Sequence, residues 1–396
     1  MRRSLLLVFL LVGCTAPIST ANTALTTTTT LAPTTTSTTT STTLATTTTS
    51  TPTTTTLVPV DGLMSVDRRL VELTAITGQI SPKSVVHSGE GLFFAQNMMY
   101  RHTITVYDRD HQLVATIPDL VDPAAYGFDE YGVELLGSPV EVAFSSDGTK
   151  AYVSNYKMYG GGLSTAAGDA CGPADWPDSF VYRIDTATFQ IDQLIRVGPV
   201  PKFLAVTHDD TTLVVANWCG FDVSIVDLAT GVERARIAVG RHPRGVATIG
   251  NTAYVAIMGS TQVAKIDLSS LEVSYLENVG RNPRHLVISP DGRHLYVTLN
   301  GEGRLVKLDL LTEKVVGSVA TGRSPRSMAI SDDGTALYVV NYNSDTVSKV
   351  STAQMVEVEE HPTDHDPIGV TYDPATRQVW VANYSGTIQV FADTAP

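Results

Sequence analysis

Beyond residue 60 the chain runs in short stretches where apolar and polar positions alternate, the period of a strand with one buried face. Two stretches are the clearest: LVISPDGRHLYVTLN over Leu286–Asn300 and MAISDDGTALYVVN over Met328–Asn341. Each holds two such runs around a turn. Asp147-Gly148, Asp291-Gly292 and Asp333-Gly334 mark that turn as a hairpin, because glycine takes positive φ without strain. A third run ends near an aspartate, as in VSIVD (Val223–Asp227), VAKID (Val263–Asp267) and LVKLD (Leu305–Asp309). A fourth follows, as in Glu233–Val239 and Lys314–Ala320, and leads through Gly240, Gly280 or Gly322 to a proline. That proline recurs at Pro82, Pro139, Pro201, Pro243, Pro283, Pro325 and Pro367, with spacings of 57, 62, 42, 40, 42 and 42. Four short strands per 40-odd residues, seven times over, predict an all-β fold: a seven-bladed β-propeller of four-stranded blades.

The second strands carry a further pattern. Tyr152-Val153-Ser154-Asn155, Tyr296-Val297-Thr298-Leu299-Asn300 and Tyr338-Val339-Val340-Asn341 resemble the YVTN-repeat β-propellers of exported and surface proteins. The resemblance runs over about residues 66–396 and implies the propeller fold. Ile257 and Leu299 depart from it where the motif has Asn. The seventh repeat stops after its third strand, at Val390-Phe391, whereas residues 69–78 (RLVELTAITG) read as a fourth strand standing before the first repeat. The N-terminal strand is therefore expected to complete the last blade and leave no open sheet edge.

Composition divides the 396 residues near position 60. No Asp, Glu, Lys or Arg lies between Ser4 and Val60, so all 40 acids and 25 of the 27 bases lie beyond, a balance of −15. Such a domain is no general nucleic-acid binder. Residues 1–13 pair Arg2 and Arg3 with an apolar run from Leu5 to Val12, too short to span a bilayer and suited to an export signal. The ending Leu11-Val12-Gly13-Cys14 resembles the lipobox of bacterial lipoproteins, which implies cleavage before Cys14 and its lipidation. Residues 14–60 read as a disordered stalk: 24 of the 37 residues from 20 to 56 are Thr, with nothing to bury. The expected organisation is thus a signal, a stalk and a propeller over 61–396, exported and lipid-anchored to the outer face of a bacterial membrane.

Two segments exceed the repeat. Residues 118–137 bring Asp119, Asp122, Tyr126, Phe128, Asp129, Glu130, Tyr131 and Glu134, and residues 157–178 bring Cys171 and Trp176. Both insertions fall in loops of one face, the one where propellers commonly bind by fold analogy. Cys171 and Cys219 lie in matching loops of adjacent blades, so a disulfide is expected in an exported protein, with free thiols or a metal pair as alternatives.

The residue after the repeat proline is basic five times in seven: Lys83, Lys202, Arg244, Arg284 and Arg326. Starting the innermost strands, these should ring the mouth of the axial channel and favour a carboxylate or phosphate. The competing reading pairs each with an Asp of a neighbouring blade. Arg241, Arg281 and Arg323 could add a second tier, and Trp218 and Tyr156 are the aromatic candidates beside the ring. The segment His361–Asp366 offers His361, Asp364, His365 and Asp366 as metal donors, but Pro362 opposes a helix that would align them, so an exposed loop is expected. No C-x-x-C-H, H-E-x-x-H, P-loop or G-x-S-x-G motif is present, so the sequence names no cofactor, metal or catalytic group. The expectation is a monomeric, non-catalytic binding or scaffolding module for an envelope or extracellular protein or a small anionic ligand. The alternative is a propeller enzyme, a lactonase-like hydrolase or a dehydrogenase, working in the channel.

Overall fold

The computed structural model describes residues 61–163, 170–171 and 176–396; the expected signal, the lipid anchor at Cys14 and the stalk lie outside the described residues. Seven antiparallel four-stranded sheets follow one another along the chain, as the repeat predicts. Blade 1 begins at Ser84–His87, blade 2 at Pro139–Phe144 and blade 3 at Pro201–Val206. Blades 4 to 7 begin at Pro243–Ile249, Pro283–Ile288, Pro325–Ile330 and Pro367–Asp373. Second strands such as Thr212–Asn217 and Ala336–Asn341 are buried along their whole length, while outermost strands such as Val232–Ala238 alternate between half-buried and exposed. Apolar clusters lie between adjacent blades; one unites Val214, Val223, Val246 and Val255 of blades 3 and 4. A blade alone could not bury both faces, so each depends on its neighbours.

The Asp-Gly turns form where expected. Gly148, Gly292 and Gly334 take φ of 66°, 70° and 69°, and the carboxylates of Asp147, Asp291 and Asp333 accept from the hydroxyls of Ser145, Ser289 and Ser331. The Asn that ends a second strand is fully buried at positions 97, 155, 217, 341 and 383. Asn217 donates to Ser224 Oγ and Asn341 to Ser348 Oγ, both on the third strand (2.8 and 2.7 Å). The glycine ahead of the proline exists to pass over that residue: a Cβ on Gly198 or Gly322 would strike Asn217 or Asn341, and one on Gly280 would strike Leu299. Ile257 and Leu299 thus replace a polar tie by apolar packing without changing the path of the chain.

Closure takes the expected form. Arg69–Ile76 pairs antiparallel with Thr387–Thr394, from Arg69 opposite Thr394 to Ile76 opposite Ile388, as the outermost strand of blade 7. The chain entering that strand is strapped to blade 6: Ser65 N–H donates to Asp333 and Val66 N–H to Thr335 Oγ1. Beneath the strap lies a dry triad. Lys349 Nζ, wholly buried in blade 6, donates to Arg68 O (2.9 Å) and to Asp393 Oδ1 (2.5 Å), and Tyr338 OH donates to Asp393 Oδ2 (2.5 Å). Removing one partner of a buried pair strands the other charge in the interior, which costs about 3–5 kcal/mol. Lys349→Met should therefore lower stability to urea by an amount in that range, and an unchanged unfolding midpoint would contradict this role for the triad.

Candidate functional site

The first residue of the cup is set by backbone geometry. The residue before the repeat proline adopts positive φ in five blades: Val200, His242, Asn282, Ser324 and Asp366 (55–61°). Its carbonyl then accepts from the N–H that follows the second strand, as in Trp218 to Val200, Tyr342 to Ser324 and Tyr384 to Asp366 (3.0–3.2 Å). Ser138 does the same for Tyr156 (2.7 Å) without the positive φ. In blades 2 to 7 one hydrogen bond thus fixes both the side chain after the proline and the side chain that opens the top loop. Repeated around the axis, it aims both kinds of residue at a single space.

That space is a cup of about 450 Å³ on the face that carries the two insertions. Lys83, Lys202, Arg244, Arg284 and Arg326 all line it, with Tyr156 and Trp218. The ring and both aromatics therefore come together as the repeat arithmetic expected. Below, Phe203, His285, Ser327 and Ile368 close the channel to a space of about 10 Å³, no more than one water, so the cup is blind on this side. His285 packs edge-on against Phe203, and burial together with Arg244 holds its pKa down near 3, so it stays neutral.

Charge is the dominant feature of the cup. Among the described residues that line it and the channel beneath, Glu141 is the only carboxylate against five cations. Burial, then the neighbouring Arg244, push Lys83 well below the usual lysine range, with Glu141 pulling the other way. Burial and Arg244 likewise lower Arg326, whose Nε is buried without a hydrogen-bond partner and whose guanidinium lies 3.8 Å from the centre of the Tyr342 ring. Lys202 sits 3.6 Å from the centre of the Tyr156 ring. Burial lifts the Tyr384 hydroxyl to about 12, so it remains a neutral donor in the wall. Lys83 and Arg326, both driven toward neutrality, thus lie among like charges that Glu141 alone does not balance among the described residues lining the cup and the channel.

The remaining wall was not legible in the repeats. Met98, Met99, Tyr100 and His102 come from the top loop of blade 1, with Ser138 and Tyr159 beside them. His102 Nδ1 lies 2.6 Å from Gly137 O; a carbonyl only accepts, so Nδ1 carries the proton and Nε2 holds the lone pair. The signal that could have found this loop is Asn97, which repeats the Asn before Tyr156 and Trp218.

Other expectations shift. Arg281 and Arg323 donate to the carbonyls of Gly301 and Asn343, and Arg241 covers the Phe221 ring, so this second tier braces top loops instead of lining the cup. The insertion 118–137 contributes nothing to the wall. It forms a short pair, Leu120–Val121 with Leu135–Leu136, and packs Phe128 and Tyr131 on Phe180 of blade 2. From 157–178, Tyr159 reaches the cup; residues 164–169 and 172–175 lie outside the described residues. Cys171 and Cys219 form the expected disulfide, which ties that insertion to the residue next to Trp218. Within His361–Asp366 the donors face different partners: His365 meets Asp345, Asp364 accepts from Thr387, and His361 packs on Phe391.

A family model of the cytochrome D1 heme domain matches residues 247–386. The match runs from the first strand of blade 4 to just past the end of the second strand of blade 7 and includes Arg284, Arg326 and Tyr384, but not His102, Lys83, Lys202 or Arg244. Among solved structures, the hydrazine synthase of Kuenenia stuttgartiensis is similar at a TM-score of 0.63 and 18% identity, over 82% of this chain and 99% of that one. That likeness is one of fold. No curated protein sequence matches the chain. The model matched over these residues is that of a haem-domain propeller.

Charge buried in the cup is held at a cost. A buried cation with no ion-paired carboxylate carries a desolvation cost that an apolar side chain of similar volume does not. Lys83→Met should raise the melting temperature in a buffer free of carboxylates and phosphate. A lowered melting temperature would show that Lys83 is already compensated within the fold.

Proposed function

We propose that this propeller is a binding module that holds a small ligand with two or more carboxylates in the cationic cup, outside the cell on a lipid tether at Cys14. The observation that carries the reading is the convergence of five cations on one blind cup in a domain of net charge −15, with Lys83 and Arg326 making no ion pair to a carboxylate among the described residues. Charge-assisted hydrogen bonds from such groups to carboxylates contribute about 1.5–3 kcal/mol each.

The matched haem-domain family points to one class of such ligand, a carboxylate-bearing tetrapyrrole. The residues fit it. Lys83, Lys202, Arg244, Arg284 and Arg326 would hold the carboxylates, and His102 Nε2, with its lone pair toward the cup, would serve as the nitrogen donor to the metal. Met98, Met99 and Tyr159 supply apolar wall for the flat ring. A bound tetrapyrrole would supply one-electron chemistry at its metal. The chain's own part is to neutralise the carboxylates, orient the ring and present one imidazole. His102 is also what favours the alternative, an enzyme working at the cup, over a purely structural propeller.

Haemin is a suitable probe. Wild-type protein should bind it at one equivalent, and the double variant Lys83→Met/Arg326→Gln should bind at least about tenfold more weakly, the loss of one charge-assisted contact. Equal binding by both, or binding of several equivalents, would reject the cup as the site.

A further inference from the structure

Asp119 was grouped with the acidic residues of the first insertion, yet it is wholly buried and lies next to the one imidazole of the cup. Its backbone N–H donates to His102 O (2.9 Å), and its own carbonyl accepts from Gly137 N–H (3.1 Å). Gly137 O in turn accepts from His102 Nδ1. The side chain closes the same loop. The Asn155 amide, turned with its nitrogen toward Asp119, donates to both carboxylate oxygens (2.5 and 3.1 Å), and the Tyr182 hydroxyl, which donates to Met158 Sδ, lies beside the carboxyl. Position 137 has no room for a side chain: a Cβ there would strike Asp119 and Asn155. Both ends of the insertion, Asp119 at its start and Gly137 at its end, are thus cinched together directly behind His102.

We propose that Asp119 is a positioning residue for His102, holding the Gly137–Ser138 strap so that its carbonyl fixes the imidazole with Nε2 toward the cup. This rests on the reading of the cup as a tetrapyrrole site. The physical requirement is a set of accepted hydrogen bonds, not a charge. Asn at 119 keeps an acceptor oxygen for the Asn155 amide. Ala at 119 keeps the backbone bonds but leaves the buried Asn155 amide unpaired and removes the side chain packed against Gly137, so the strap is no longer held from behind.

The test uses two probes on the full chain. Haemin binding depends on the imidazole and the cations; metal-free protoporphyrin IX depends on the cations alone. Asp119→Ala and Gly137→Ala should each weaken haemin binding about tenfold and shift its absorption spectrum toward that of the His102→Ala complex. Asp119→Asn should keep the wild-type spectrum, and all variants should bind protoporphyrin IX within about twofold of wild type. In unliganded protein, the slowly exchanging Nδ1 proton of His102 should be seen by NMR in wild type and Asp119→Asn and be lost in Asp119→Ala. A wild-type haemin spectrum and affinity in Asp119→Ala, with its Nδ1 proton retained, would overturn the assignment. If neither porphyrin binds the wild type, the reading of the cup itself falls, and the assignment with it.

Discussion

The structure depends on ring closure. Each blade buries its faces only against two neighbours, so six blades and an open gap would expose apolar surface on both sides of the break. Closure is achieved across the longest separation in the described chain, by pairing Arg69–Ile76 with Thr387–Thr394. The Lys349–Asp393–Tyr338 triad then clips blade 6 to the closing strand through Arg68 O. Polar groups this dry are weak sources of stability but strong sources of register, since a slipped strand would strand a charge.

Closure is also what makes the cup. A side chain placed at the same point of each repeat is spread along an open array but concentrated at the axis of a ring. Five of seven blades place Lys or Arg there, and the ring brings them into one volume that they would not choose in isolation. Burial first, and then the neighbouring Arg244, lower the pKa values of Lys83 and Arg326 there. Sites that store such strain do so at the expense of the unliganded fold, which is the general trade between stability and binding. The triad at the seam pairs its buried cation with a carboxylate of the chain, whereas the ring at the axis gathers five cations in one volume.

What the sequence revealed follows from what repeats can reveal. The prolines, the Asp-Gly turns and the alternating runs set blade number, strand order and the closing strand, because each recurs under one physical demand. The ring at Lys83, Lys202, Arg244, Arg284 and Arg326 was legible for the same reason. The repeat misled at Arg241, Arg281 and Arg323, whose long side chains turn back to loop carbonyls or a ring face that periodicity does not report. It was silent where a residue occurs once. His102 and Met98 sit in a blade 1 loop that shares only Asn97 with its counterparts, and Asp119 read as one acid among several of the first insertion because nothing local shows that Tyr182, Asn155 and Gly137 converge on it. Singular residues are settled by packing, and in this fold they carry the specific part of the site.

The most direct measurement of the central claim is a crystal structure of the protein soaked with haemin. The account predicts one molecule in the cup, its carboxylates within hydrogen-bonding distance of Lys83 and Arg326 and its iron facing His102 Nε2. Haemin bound elsewhere, or a cup filled by side chains of this same chain that pair with those cations, would contradict it.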